Sequence, residues 1–313
     1  MGGGSYSDKD FVRFSTSRRY SDPDTTTADI YKSRNVNPDL DPKKFKVRES
    51  VDGPDHPNST PLILSLDVTG SMHAVLDRLA RVGMKTICQE VLERRPITDP
   101  HICCCAIGDV EAGDRVPFQA SQFESDIRIF EQLEKIYLEG GGGGNCHESY
   151  ILAWYFAKYR TKTDSFTKRG QKGFLFTIGD EEITPELNRS HFLTAMGDDI
   201  DKEKITAQEL YDLIYPEWNV FHIIIKEGSH ARMAFESVRK SWEDVIGAQR
   251  VIPLDDHEKI GETIVSILEL AAGKSLKNVT ESWDGSTGVV VANALKNMTE
   301  TDTEVRDTID AHL

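Results

Sequence analysis

The chain has 313 residues, 38% hydrophobic and 28% charged, with a formal net charge of −15. That is enough to build one large α/β domain with extensions, or two modest domains. The negative balance counts against a general nucleic-acid backbone binder and against docking on an anionic membrane.

No apolar stretch approaches the ~20 residues that span a bilayer. The start, Met1-Gly-Gly-Gly-Ser-Tyr, has no charged segment leading into an apolar one, so it reads as a flexible beginning rather than a secretory signal. Cys88, Cys103, Cys104, Cys105 and Cys146 form no C-x-x-C pair. They read as buried, reduced thiols, and the expected location is cytoplasmic.

In chain order, residues 1–57 are polar and interrupted by prolines, which predicts an irregular extension. Phe11, Phe14, Tyr20, Tyr31 and Phe45 are too many aromatics for pure disorder, so parts of it should dock on the domain or on a partner. Pro61 to Leu66 is a short apolar run bounded by Pro and Gly, the pattern of a buried strand. A helix follows from His73 to Arg94 on helical apolar spacing. A strand is expected at His101–Ile107, extended chain at 115–123, a short helix near 125–134 and a strand at 136–138.

After the glycines at 140–144 come Asn-Cys-His-Glu-Ser and then a helix to about Arg160. Phe174–Ile178 reads as a strand closed by Gly-Asp-Glu-Glu. From Asp180 to Glu217 the chain carries eleven Asp or Glu against three Lys or Arg, an acidic insertion (about 181–217) with two helices. One should start at Thr184-Pro185-Glu186 and the other at the capping box Thr206–Glu209. Strand 220–225, helix 230–246, strand 250–254 and helix 259–272 complete the core. Residues 274–313 read as a C-terminal tail in which 289–295 could turn helical.

Alternation of apolar strands and helices implies a mostly parallel sheet sandwiched by helices. Ligands in such sheets bind beyond the carboxyl ends of the strands. Asp67, Thr69 and Ser71 stand there at positions i, i+2 and i+4. Hard oxygen donors converging on one point suit a small cation such as Mg²⁺, bound at about 2.0–2.1 Å. Asn145 and Glu148 follow the glycines, and Asp180 closes the Phe174 strand. Helix-capping roles compete for Asp67, Asn145 and Glu148. His147 reads as structural, and Glu181 and Glu182 as a solvated rim able to reach the ion through water. The glycines are no P-loop, since no Gly-Lys-Ser/Thr follows.

The loops D-V-T-G-S, G-G-G-G-G-N-C-H-E-S and F-T-I-G-D, in this order, resemble the von Willebrand factor A (VWA) family and its metal-ion-dependent adhesion site. The resemblance covers roughly residues 60–273, within a domain placed at 58–273. It implies a Rossmann-like fold and a Mg²⁺ site (or Mn²⁺, Ca²⁺) formed by Asp67, Thr69, Ser71 and Asp180. The second loop departs from the family in lacking its usual Thr, so Asn145 or Glu148 would complete the shell. Family members are mostly not enzymes. They bind partner proteins, and intracellular prokaryotic members often work beside AAA+ ATPases or in modification and stress systems. The expected function is therefore a metal-dependent protein-interaction adaptor.

Two alternatives stay open. The long extensions would suit a scaffold component of a larger assembly. D-x-T with a later G-D-E-E also resembles haloacid-dehalogenase-type phosphohydrolases, although Thr69 occupies the place of their second Asp.

Overall fold

The computed structural model describes residues 4–140 and 144–298, and of Ser71 only the backbone. The sheet has six strands: β1 Thr60–Asp67, β2 Pro100–Ile107, β3 Phe118–Ala120, β4 Gly173–Gly179, β5 Trp218–Ile225 and β6 Val251–Leu254. Their order is β6-β5-β4-β1-β2-β3, parallel except where β3 runs against β2.

Strand side chains alternate between faces, and two apolar clusters divide them cleanly. Leu62, Leu64, Leu66, Phe174, Phe176 and Ile178 face one cluster, with apolar residues of helices Met84–Arg94, Ile260–Ala271 and Ser286–Leu295. Ile63, Cys103, Cys105 and Leu175 face the other, with those of Ile151–Tyr159, Ala207–Ile214 and Ser229–Ile246. Both faces are thus covered, which is why the strands read as continuous apolar runs. Among the described residues, no helix is long and apolar enough to cross a membrane.

Several segments differ from the sequence expectation. The extension at 1–57 is not irregular throughout. Asp8–Ser17 is a helix capped by Ser7, while Phe11, Phe14, Tyr20 and Tyr31 dock on the domain as expected, in the first cluster. Phe130 meets Tyr6, Phe11 and Phe14 at ring-centroid distances of 6.2, 4.9 and 6.0 Å.

In the acidic insertion the first helix starts at Arg189 rather than near Thr184. Asn188 caps it, and Glu186–Asn188 pairs instead with Lys204–Thr206. A side-chain cap at Asn188 outweighs a Thr-Pro start whose chain is committed to a strand pair. The second helix begins behind the Thr206–Glu209 capping box. Residues 136–138 form no strand. At the other end, Leu276–Glu281 and Ser286–Leu295 are helices, and Val291, Ala294 and Leu295 join the core. Residues 299–313 lie outside the description. Four cysteines are buried and free, while Cys146 is exposed rather than buried.

Candidate functional site

Asp67 is the last residue of β1, placed by its register with Ile107 of β2. It is fully buried. Its Oδ1 accepts from the Thr69 N–H at 2.8 Å and from Thr69 Oγ1 at 2.6 Å. Its Oδ2 accepts from the Tyr150 hydroxyl at 3.1 Å. Thr69 then leads into the tight turn Gly70–Met72 and the following helix. The side chain of Ser71 lies outside the described residues, as do residues 141–143 of the glycine run.

Asp180 directly follows β4 and is fully buried. Its Oδ2 accepts from the His230 N–H at 3.0 Å, at the start of helix Ser229–Ile246. Gly228 makes this approach possible, because a Cβ there would come within 2.3 Å of the Asp180 side chain.

Glu148 neither caps nor opens the helix that follows it. With His147 it forms a short parallel bridge to Glu182–Ile183, and its carbonyl accepts from Thr184 Oγ1. This pins the loop after the glycines to the loop after β4. The Glu148 side chain is fully buried, and neither carboxylate oxygen has a hydrogen-bond partner. Asn145 does not cap that helix either. Its amide donates to Asp109 Oδ2, and its own Oδ1 is buried without a partner.

Two further groups belong to this region. Asp109, two residues past β2, is 1% exposed and accepts from the Glu111 N–H at 2.8 Å. Glu181 is half-buried rather than part of a solvated rim. Tyr150 is held against the site by His222 and Trp242, and its ring lies so close to Gly179 that a Cβ there would fall 1.9 Å from the hydroxyl oxygen.

The electrostatics follow from this crowding. Burial, with help from Asp180, pushes the Asp67 carboxyl up to about 7 against the pull of its Thr69 and Tyr150 bonds. Burial and then Asp67, Glu181 and Asp109 push Glu148 up to about 11. Glu181 rises to about 7, from burial first and then Asp67 and Asp180. What raises these groups is thus low dielectric and other carboxylates.

The structure brings Asp67, Thr69, Glu148 and Asp180 to one end of the sheet, but not as one tight ligand set. Among the described residues, the His, Cys, Asp and Glu trios whose ligand atoms lie within 4.8 Å of one another are Asp109–Glu111–His147 and Glu227–Asp256–His257.

Asp109 was missed from sequence, although Gly108-Asp109 after β2 repeats the Gly179-Asp180 ending of β4. Nothing local marks Tyr150, whose role depends on two distant strands.

No protein-family model matches the chain, and no curated protein matches it. Similar solved structures include the pilus adhesin SpaC of Lactobacillus rhamnosus GG in its open conformation, with TM-score 0.43 and 10% identity over 75% of this chain and 31% of that one. Proximal thread matrix protein 1 from the mussel byssus is similar at TM-score 0.42 and 11% identity, over 73% of this chain and 48% of that one. Likeness at this level carries no argument about the site.

Proposed function

We propose that the chain is a metal-dependent protein-interaction module of the VWA kind, and not an enzyme. It would hold Mg²⁺, or Mn²⁺ or Ca²⁺, with Asp67, Thr69, Asp180 and Glu148, and Ser71 in the role its motif implies. The observation that carries this reading is Glu148, a fully buried carboxylate with both oxygens unpartnered, facing other buried carboxylates. Buried charge of this kind is expensive unless a cation or a proton neutralises it. An all-oxygen donor set suits a hard dication. The ion would supply an electrophilic point for a side chain of the partner. The chain's own residues hold that point: Tyr150 and Thr69 fix the Asp67 carboxylate, and the His230 N–H fixes Asp180.

The partner is a protein, on family resemblance a cytoplasmic AAA+ ATPase or a component of a modification or stress system. Calorimetric titration with Mg²⁺ tests the first half, with uptake expected in wild type and lost in Asp67→Ala. Affinity capture with both proteins, in Mg²⁺ and in EDTA, tests the second. A partner captured equally in all four conditions overturns the metal-dependent reading.

A further inference from the structure

We propose a second cation site beside the first, formed by Asp109, Glu111 and His147 and suited to a first-row transition ion such as Zn²⁺. One ligand atom from each of these residues lies within 4.8 Å of the others. Asp109 and Glu111 come from the turn after β2, and His147 from the bridge to Glu182.

His147 Nδ1 stands 3.5 Å from Glu111 Oε2, yet it is buried and makes no hydrogen bond. That separation is long for an N–H···O bond, which runs about 2.7–3.2 Å. It fits two ligands of one tetrahedral ion, which sit roughly 3.3–3.5 Å apart when the metal bonds are about 2.0–2.2 Å.

Two observations outside the trio point to a ligand here. Asn145 gives its amide hydrogen to Asp109, and its Oδ1 is left buried with no partner. Glu148, next to His147, is wholly buried with neither oxygen bonded. A single dication cannot balance Asp67, Asp180, Glu148, Asp109 and Glu111 together, and a second removes most of the surplus.

The donor chemistry separates the two sites. Oxygen-only donors favour Mg²⁺, whereas an imidazole nitrogen with carboxylates favours Zn²⁺. The other close trio, Glu227–Asp256–His257, lacks these signs. His257 Nδ1 is already 2.6 Å from Glu227, and none of the three has a buried atom without a partner.

The test uses the full chain, stripped with EDTA, saturated with Mg²⁺ and titrated calorimetrically with Zn²⁺. One Zn²⁺ per chain is expected. Its affinity should fall at least about tenfold in His147→Ala and in Glu111→Gln, and should persist in Asp67→Ala. Both weakening variants change side chains that are 23% and 32% exposed, so the fold should survive, with circular dichroism as the check. No Zn²⁺ uptake by wild type, unchanged uptake in both variants, or loss of uptake in Asp67→Ala would each overturn the proposal. The last arm separates it from the Mg²⁺ reading, because Asp67→Ala removes the first site alone.

Discussion

Replacing Glu148 with Gln keeps the size of the side chain and removes its charge. In the metal-free protein the carboxyl is pushed up to about 11 from an ordinary 4.5, by burial and then by Asp67, Glu181 and Asp109. An unfolded chain releases this proton near pH 4.5, while the folded chain keeps it. Stability of the metal-free protein therefore falls as pH rises above 4.5, by up to ~1.4 kcal/mol per pH unit. The interval to pH 7 sets a ceiling of about 3.4 kcal/mol. Asp67 and Glu181, both raised to about 7, share the same repulsion, which leaves ~1–3 kcal/mol to Glu148. In EDTA at pH 7, Glu148→Gln should melt about 2–8 °C above wild type, and the gap should close near pH 4. Mg²⁺ should raise the melting temperature of wild type more than that of the variant. Thermal unfolding followed by circular dichroism measures both. A variant less stable than wild type in EDTA at pH 7, or one with an undiminished Mg²⁺ response, refutes the reasoning.

Three other outcomes are expected. Gly228→Ala should displace Asp180, cost ~1–3 kcal/mol as an overpacking change, and weaken calorimetric Mg²⁺ binding, because the new Cβ would sit 2.3 Å from that side chain. His101 is bonded to His56 at 3.0 Å and to Ser50 at 3.2 Å, and burial followed by His56 pushes it down to about 4. Its contribution is thus present above pH ~6.5 and lost, by up to ~3 kcal/mol, as pH falls towards 4, so urea unfolding should show a shallower acid loss in His101→Gln than in wild type. Phe130→Ala should cost ~3–5 kcal/mol and make residues 5–20 the first site of limited proteolysis, since this buried ring holds Tyr6, Phe11 and Phe14.

The parallel sheet was legible because doubly buried strands leave long apolar runs, and these runs end abruptly where the chain turns polar. The same contrast exposed Asp67 and Asp180. Asp109 carried an equal signal but lacked a motif around it. Glu148 was found as a candidate, but its burial was not foreseen. Its burial depends on pairing with Glu182–Ile183, a contact between loops far apart in sequence. The extension at 1–57 looked irregular because its one helix of more than a turn, Asp8–Ser17, is short and buries only Phe11 and Phe14, against Phe130. The Thr184 start failed for a similar reason, since residues 186–188 are claimed by a strand pair with 204–206.

The surplus of carboxylates bears on what can dock at the proposed Mg²⁺ site. With only Asp67 and Asp180 as charged ligands, a dication is neutralised and an incoming carboxylate is tolerated. Glu148, once ionised by the metal, tips the balance negative, and Glu181 deepens it from a half-buried position within reach of Asp67. This local field opposes an acidic partner residue. The Mg²⁺-loaded chain should bind peptides bearing Lys or Arg more tightly than matched peptides bearing Asp or Glu, and the preference should shrink with added salt. Glu148→Gln should move it towards the acidic series. Calorimetry with matched peptides reads both changes, and tight acidic binding that is the same in wild type and variant rejects the charge argument. If Zn²⁺ fills the proposed Asp109–Glu111–His147 site, the preference should relax in the same direction as in Glu148→Gln, because either change reduces the negative charge an arriving carboxylate meets.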